Sequence, residues 1–197
     1  MKMDLPQYID LDSYSSTPGF LGYTDNIPDF SEAGINALCD RFFEKMAAHI
    51  GDVTVASSLF INSNKEELSQ DYDIPLTDID KFLHALLKKG LVKTINLDTL
   101  PDPDSPLFDQ EFRKFETTFR KLHSPDAQTL KDILQSFFHA VGLHGHIFLV
   151  FRAAELIVYP HTDDLGFGFI SMNPVRRHEQ KEKLQTRFYN FQSSKVK

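Results

Sequence analysis

The chain has 197 residues, a net charge of −7, 41% hydrophobic and 25% charged residues, and one cysteine. That length can bury a core without staples, the composition argues against wholesale disorder, and a lone Cys39 excludes an internal disulfide framework. No apolar run approaches the ~18 residues of a membrane span, and the start MKMDLPQYIDLDSY lacks the apolar core of a secretory signal, so a cytoplasmic protein is expected.

Residues 1–30 hold Pro6, Pro18, Pro28, Gly19 and Gly22 between short apolar pieces, the pattern of an irregular arm. Ser31 caps a helix whose buried stripe is Ile35, Leu38, Phe42 and Met46, closed by Gly51. Asp52–Ile61 is β-rich and predicts one strand. Ser63 or Asn64 caps a second helix with Leu68 and Tyr72 facing inward. A third helix starts near Pro75-Thr77, carries Ile79, Phe82, Leu83, Leu86 and Leu87, stops at Gly90 and runs into the β-branched stretch Val92–Ile95. Helix, strand, helix, helix, strand is the winged-helix order. Thr99–Pro106, with three prolines and two aspartates, predicts a linker.

Beyond it, Phe108, Phe112, Phe115, Phe119 and Leu122 predict a helix over 108–123, and Ser124-Pro125-Asp126 opens another over 127–141. Strands are predicted at 146–151, 156–159 and 165–170, joined by tight turns as an antiparallel meander. Pro174–Phe191 predicts a closing helix with Leu184, Phe188 and Phe191 on its stripe. The expected fold class is therefore α+β: an arm (1–30), a winged-helix-like helical module (31–98), a Pro/Asp linker (99–106) and an α+β domain (107–197). That last domain holds a helix pair, a small antiparallel sheet and a basic C-terminal helix.

Charge decides how such a module is used. Residues 1–100 carry a net of −8, residues 101–173 a net of −4 and the tail 174–197 a net of +5. A DNA-reading helix needs cations around it, because phosphate affinity comes from counterion release. Here Asp71, Asp73, Asp78 and Asp80 surround the corner that would approach DNA, and Asp102 and Asp104 occupy the wing position. Nucleic acid is thus an improbable partner, and a basic protein a suitable one.

Histidines and carboxylates offer less. His144, His146 and His161, with Asp163 or Asp164, are ligands of the right type for a metal but match no established spacing. Asp163-Asp164 on one tight turn cannot form a catalytic pair across a cleft. No GxSxG, P-loop or GxGxxG occurs. No enzyme activity, metal or cofactor is expected. The tail RRHEQKEKLQTRFYNFQSSKVK is where cations meet aromatics, and it reads as an amphipathic helix with a solvated cationic face.

Tyr159–Gly166, YPHTDDLG, followed by an alternating strand and a helix with Leu184, Phe188 and Tyr189, resembles the end of bacterial contact-dependent-inhibition and polymorphic-toxin immunity proteins. In those, a strand ending in tyrosine leads through an Asp-Asp-x-Gly turn to a strand and a short aromatic helix. This chain inserts Pro160-His161-Thr162 before the turn, and has Leu165 and Gly168 where an arginine and an acid are usual. The resemblance covers about residues 155–190 and implies a cytosolic, non-enzymatic protein that neutralises a toxin. The expected function is inhibition of a basic, nuclease-type toxin through Asp71, Asp73, Asp78, Asp80, Asp102 and Asp104. A winged-helix transcriptional or plasmid/phage regulator is the alternative.

Overall fold

The structure, a computed structural model, describes residues 5–24, 29–163 and 165–193. Pro28, Asp164 and the last four residues of the basic tail lie outside them. In chain order the elements are β1 (Phe20–Thr24), α1 (Glu32–Met46), β2 (Val53–Ser57), β3 (Phe60–Asn62), α2 (Lys65–Asp71), α3 (Leu76–Lys88), β4 (Lys93–Ile95) and α4 (Pro106–Thr117). There follow β5 (Arg120–His123), α5 (Ala127–His139), β6 (Ile147–Phe151), β7 (Leu156–His161), β8 (Gly166–Ser171), α6 (Arg177–Arg187) and β9 (Phe191–Ser193). The fold is α+β.

Two compact units form, and their limits differ from the expected ones. Met1–Thr54 joins Phe148–Lys197 in the first, and Val55–Ile147 makes the second. The 31–98 module is therefore shared between units, and the 99–106 segment lies inside the second instead of separating two domains. The physical reason is sheet pairing: the strand β1, from the arm, pairs with strands more than 140 residues later.

In the first unit the strand order is β6-β7-β8-β1-β9, antiparallel at each of these neighbours. The meander β6-β7-β8 is as the sequence predicts. The arm is not irregular throughout, because β1 sits between β8 and β9. Its glycines mark close backbone approach, not only turns: a Cβ on Gly19 would strike the Ser171 carbonyl, and one on Gly22 (φ +146°) the Gln192 carbonyl. Strands β6 and β8 are buried along their whole length, as expected of a sheet covered on both faces. On one face Phe42 of α1 stacks on Phe167 at 4.1 Å, and Phe188 packs on Phe169 at 5.3 Å. On the other, Tyr159 lies over Gly168, and Tyr14 reaches Tyr159 at 4.3 Å and Phe148 at 5.7 Å. Ser31 caps α1 by accepting the Gly34 N–H at 3.1 Å, and Ile35, Leu38, Cys39, Phe42 and Met46 are its buried stripe. The closing helix is shorter than the sequence suggests. A 3-10 turn, Pro174–Arg176, precedes α6; Phe188 ends it and β9 follows.

In the second unit α2, α3 and β4 follow in the expected order, but the strand pairing does not follow a winged helix. β3 and β4 run parallel, Phe60 opposite Lys93 and Asn62 opposite Ile95. Parallel neighbours require a crossover, and α2–α3 supplies it. After β4 a 3-10 turn, Leu97–Thr99, and the acidic turn lead directly into α4, so the Asp102–Asp104 segment is no wing. The strand predicted over 52–61 is two strands, broken where Ser57 Oγ donates to the Leu91 carbonyl (2.5 Å) and accepts from the Leu59 N–H (3.2 Å). α3 buries Ile79, Leu83 and Leu86, and packs on α5, which buries Leu130, Ile133, Leu134 and Phe138. The helix predicted over 108–123 stops at Thr117, because Thr117 and Thr118 turn their hydroxyls back onto the Arg113 and Lys114 carbonyls and Thr118 is extended. Arg120–His123 then forms β5.

Candidate partner-binding surface

The α2–α3 corner is built by a helix end. Asn64 opens α2 by accepting the Glu67 N–H at 3.3 Å, while Asn62 Nδ2 donates to Glu67 at 2.8 Å. Seven residues later the helix stops. The Tyr72 N–H bonds back to the Leu68 and Gln70 carbonyls, Asp73 enters the left-handed region at φ +50°, and the Ile74 N–H reaches the Ser69 carbonyl at 3.1 Å. This six-to-one closure around a left-handed residue is the usual way to satisfy the last carbonyls of a helix. Ser69 Oγ adds a bond to the Ile74 carbonyl at 2.7 Å.

Helix termination corrects one expectation. The four-residue spacing from Leu68 predicts Tyr72 inward, but the spacing has no meaning beyond the last helical residue, and Tyr72 is 48% exposed. Leu76, the first residue of α3, is 41% exposed. Asp71 and Asp73 are exposed beside them, and Asp78 is half-buried in the first turn of α3, where the helix dipole favours an acid. Two partly exposed apolar residues and three acids thus fall within residues 71–78, with the Tyr72 ring edge beside Gly142. Sequence reasoning missed Tyr72 and Leu76; the Asp73 stop signal just after the tyrosine is what could have revealed them.

The other predicted anchors are placed differently. Asp80 is exposed and ion-paired with Lys65, an arrangement worth at most about 1 kcal/mol at a surface, so a partner cation can exchange for the lysine. Asp102 and Asp104 belong to another element, the turn ahead of α4. There the Asp102 carboxylate accepts the Asp104 N–H at 2.9 Å and its carbonyl accepts the Ser105 N–H at 2.8 Å. Their local work is to fix that turn. Asp71 and Asp73 thus stand at the end of α2, Asp78 and Asp80 in the first turns of α3 with Asp80 against Lys65 at the start of α2, and Asp102 and Asp104 on the turn ahead of α4.

The histidines hold structural positions. His144 is half-buried, its ring 5.3 Å from Phe60 and 5.4 Å from Phe112, and burial pushes its pKa below the ordinary value. The backbone of His146 brackets Ser58, its carbonyl accepting the Ser58 N–H at 2.9 Å and its N–H donating to Ser58 Oγ at 3.0 Å. His161 ends β7 beside the rings of Tyr23 and Tyr159. Among the described residues no three His, Cys, Asp or Glu side chains converge as metal ligands would. No described helix is long and apolar enough to cross a membrane.

No family model, curated protein or solved structure matches this chain. The physical chemistry of the surface is what speaks to function. Exposed acids at the end of α2 and the start of α3 have the charge that suits a cationic surface, and the exposed parts of Tyr72 and Leu76 add apolar area in the same segment.

Proposed function

We propose that this protein is a non-enzymatic, protein-binding inhibitor that acts in the cytoplasm and whose α2–α3 corner occludes a basic partner. The partner that fits best is a nuclease-type bacterial toxin, which makes the chain an immunity protein. One observation carries the reading: the exposed Tyr72 and Leu76 stand at the end of α2 and the start of α3, in the same stretch of chain as Asp71, Asp73 and Asp78. A solvated acidic segment kept only for solubility has no use for half-exposed apolar side chains within it. The resemblance of residues 155–190 to immunity proteins is a second, separate support from the sequence; β7 runs on to His161, and Phe188 and Tyr189 fall just beyond α6. The regulator reading is weakened by the parallel pairing of β3 and β4 and by the acids at the start of α3, which would repel phosphate.

The test compares the wild-type chain with Asp71→Lys/Asp78→Lys as affinity baits in the native host, with nuclease treatment. One basic protein held stoichiometrically by the wild type and lost by the variant is the expected result. Equal capture by both baits removes the corner from the interface, and nucleic acid bound by the wild type at low salt favours the regulator.

A further inference from the structure

The cations of the C-terminal segment do not simply coat a solvated helix. α6 sets Lys183 and Arg187 one turn apart, and both line a cavity of about 140 Å³ in the first unit, with Arg176 and His49 also on its walls. Its apolar floor is made by Met46, Leu156 and Leu184. Arg187 also lines a smaller adjoining cavity of about 30 Å³ together with Arg41 and Lys45 of α1. In a chain of net −7 this concentration of positive charge around a concave site is out of character.

The acids nearest the cavity are already engaged. Glu155 accepts from Asn173 at 3.0 Å and from Arg176 at 3.1 Å. Glu179 bridges Lys183 and Arg176, which hold its carboxyl at about 2. The Asp52 carboxylate accepts the Ala153 N–H at 2.7 Å. Among the described residues, no ion pair engages Arg187 or His49. His49 lies within the field of Arg187 and Lys183, which together with burial, the larger cause, keeps its pKa below the ordinary value. Glu155 and Glu179 thus offset Arg176 and Lys183, and Arg187 is left on the wall as a cation that a bound anion can pair with.

We propose that this cavity binds the phosphate group of a small organic phosphate. Arg187 supplies a planar fork of donors, Lys183 a point charge, and His49 a further hydrogen-bonding group at the rim. The apolar floor receives the carbon skeleton. Arg187 and Lys183 on one wall can share the oxygens of a phosphate, and a volume of about 140 Å³ suits a small molecule better than a polymer. The site lies in the other unit from the acidic corner and stands or falls independently of the function proposed above.

The full chain is titrated with inorganic phosphate and with ribose 5-phosphate, each against sodium chloride at equal ionic strength, following melting temperature and the His49 ring resonances. Saturable stabilisation with movement of the His49 signals is expected, at lower concentration for ribose 5-phosphate. Arg187→Gln and Lys183→Gln should each weaken binding by about tenfold, which is about 1.4 kcal/mol, while Lys88→Gln in the other unit titrates as wild type. Phosphate that stabilises no more than chloride overturns the proposal. So does an Arg187→Gln chain that melts cooperatively yet binds like the wild type; should that variant fail to fold, the exposed Lys183 decides by the same criterion.

Discussion

His144 lies nearly flat on Phe60, ring centroids 5.3 Å apart and planes at 25°, while their backbones exchange two hydrogen bonds of 3.0 and 2.9 Å. Burial in this stack disfavours the charged imidazole, so its folded pKa lies below the 6.5 of an unfolded chain. Below that value the unfolded state takes up protons that the folded state resists. Stability is therefore complete above 6.5 and falls as the pH drops through it. His49, lowered chiefly by burial, acts in the same direction. The urea midpoint should fall between about pH 7.5 and about pH 5.5. His144→Phe keeps the stack and loses its share of that slope. A variant with the wild-type slope would show that His144 titrates freely.

Tyr159 and Gly168 are a second obligate pair. They face each other across β7 and β8, and the tyrosine ring fills the space that a Cβ on Gly168 needs. Gly168→Ala should cost about 1–3 kcal/mol, the range for overpacking a core. Combined with Tyr159→Ala the two losses should fall short of additive, because the smaller side chain removes the clash. Chemical denaturation of the four proteins measures the coupling, and strict additivity would mean that the alanine is accommodated by some other shift.

Much of this architecture was legible in the chain. The stripes Ile35–Leu38–Phe42–Met46, Ile79–Leu83–Leu86 and Leu130–Ile133–Leu134 give α1, α3 and α5, and the meander follows from β-rich runs between turns. What was lost is what depends on distant partners. Gly19 and Gly22 look like turn residues until Ser171 and Gln192 are seen against them. The phenylalanine period through Phe119 continues past the point where two threonines end α4. The basic cavity joins Lys183 and Arg187 to His49, more than 130 positions earlier, and no local window contains both.

Asp73 separates stability from binding. At φ +50° it occupies a backbone region that costs an L-residue energy and costs glycine none, although aspartate tolerates it better than most. Asp73→Gly should leave the chain as stable as the wild type or up to about 1 kcal/mol more so, the loop entropy of glycine offsetting part of the gain. The same change deletes one acid from the corner and should weaken partner capture. A variant that is destabilised by more than about 1 kcal/mol would mean the Asp73 carboxylate supports the helix end in some way beyond its backbone conformation.

The proposed interface further predicts a division of kinetic labour between its acids and its apolar residues. Asp71 is exposed and Asp78 half-buried at the start of α3, so each acts on a cationic partner at a distance; Tyr72 acts only once water is expelled. With the captured partner immobilised, Asp71→Lys/Asp78→Lys should slow association and flatten its dependence on salt. Tyr72→Ala should leave association near the wild-type rate and speed dissociation, with a loss of about 2 kcal/mol or more if the ring is a central anchor. Asp80→Asn should matter less than either, since that carboxylate already has Lys65. Were Tyr72→Ala to dissociate as slowly as the wild type, the contact would have to be centred elsewhere, and the exposed Leu107 beside the Asp102–Asp104 turn would be the next residue to change.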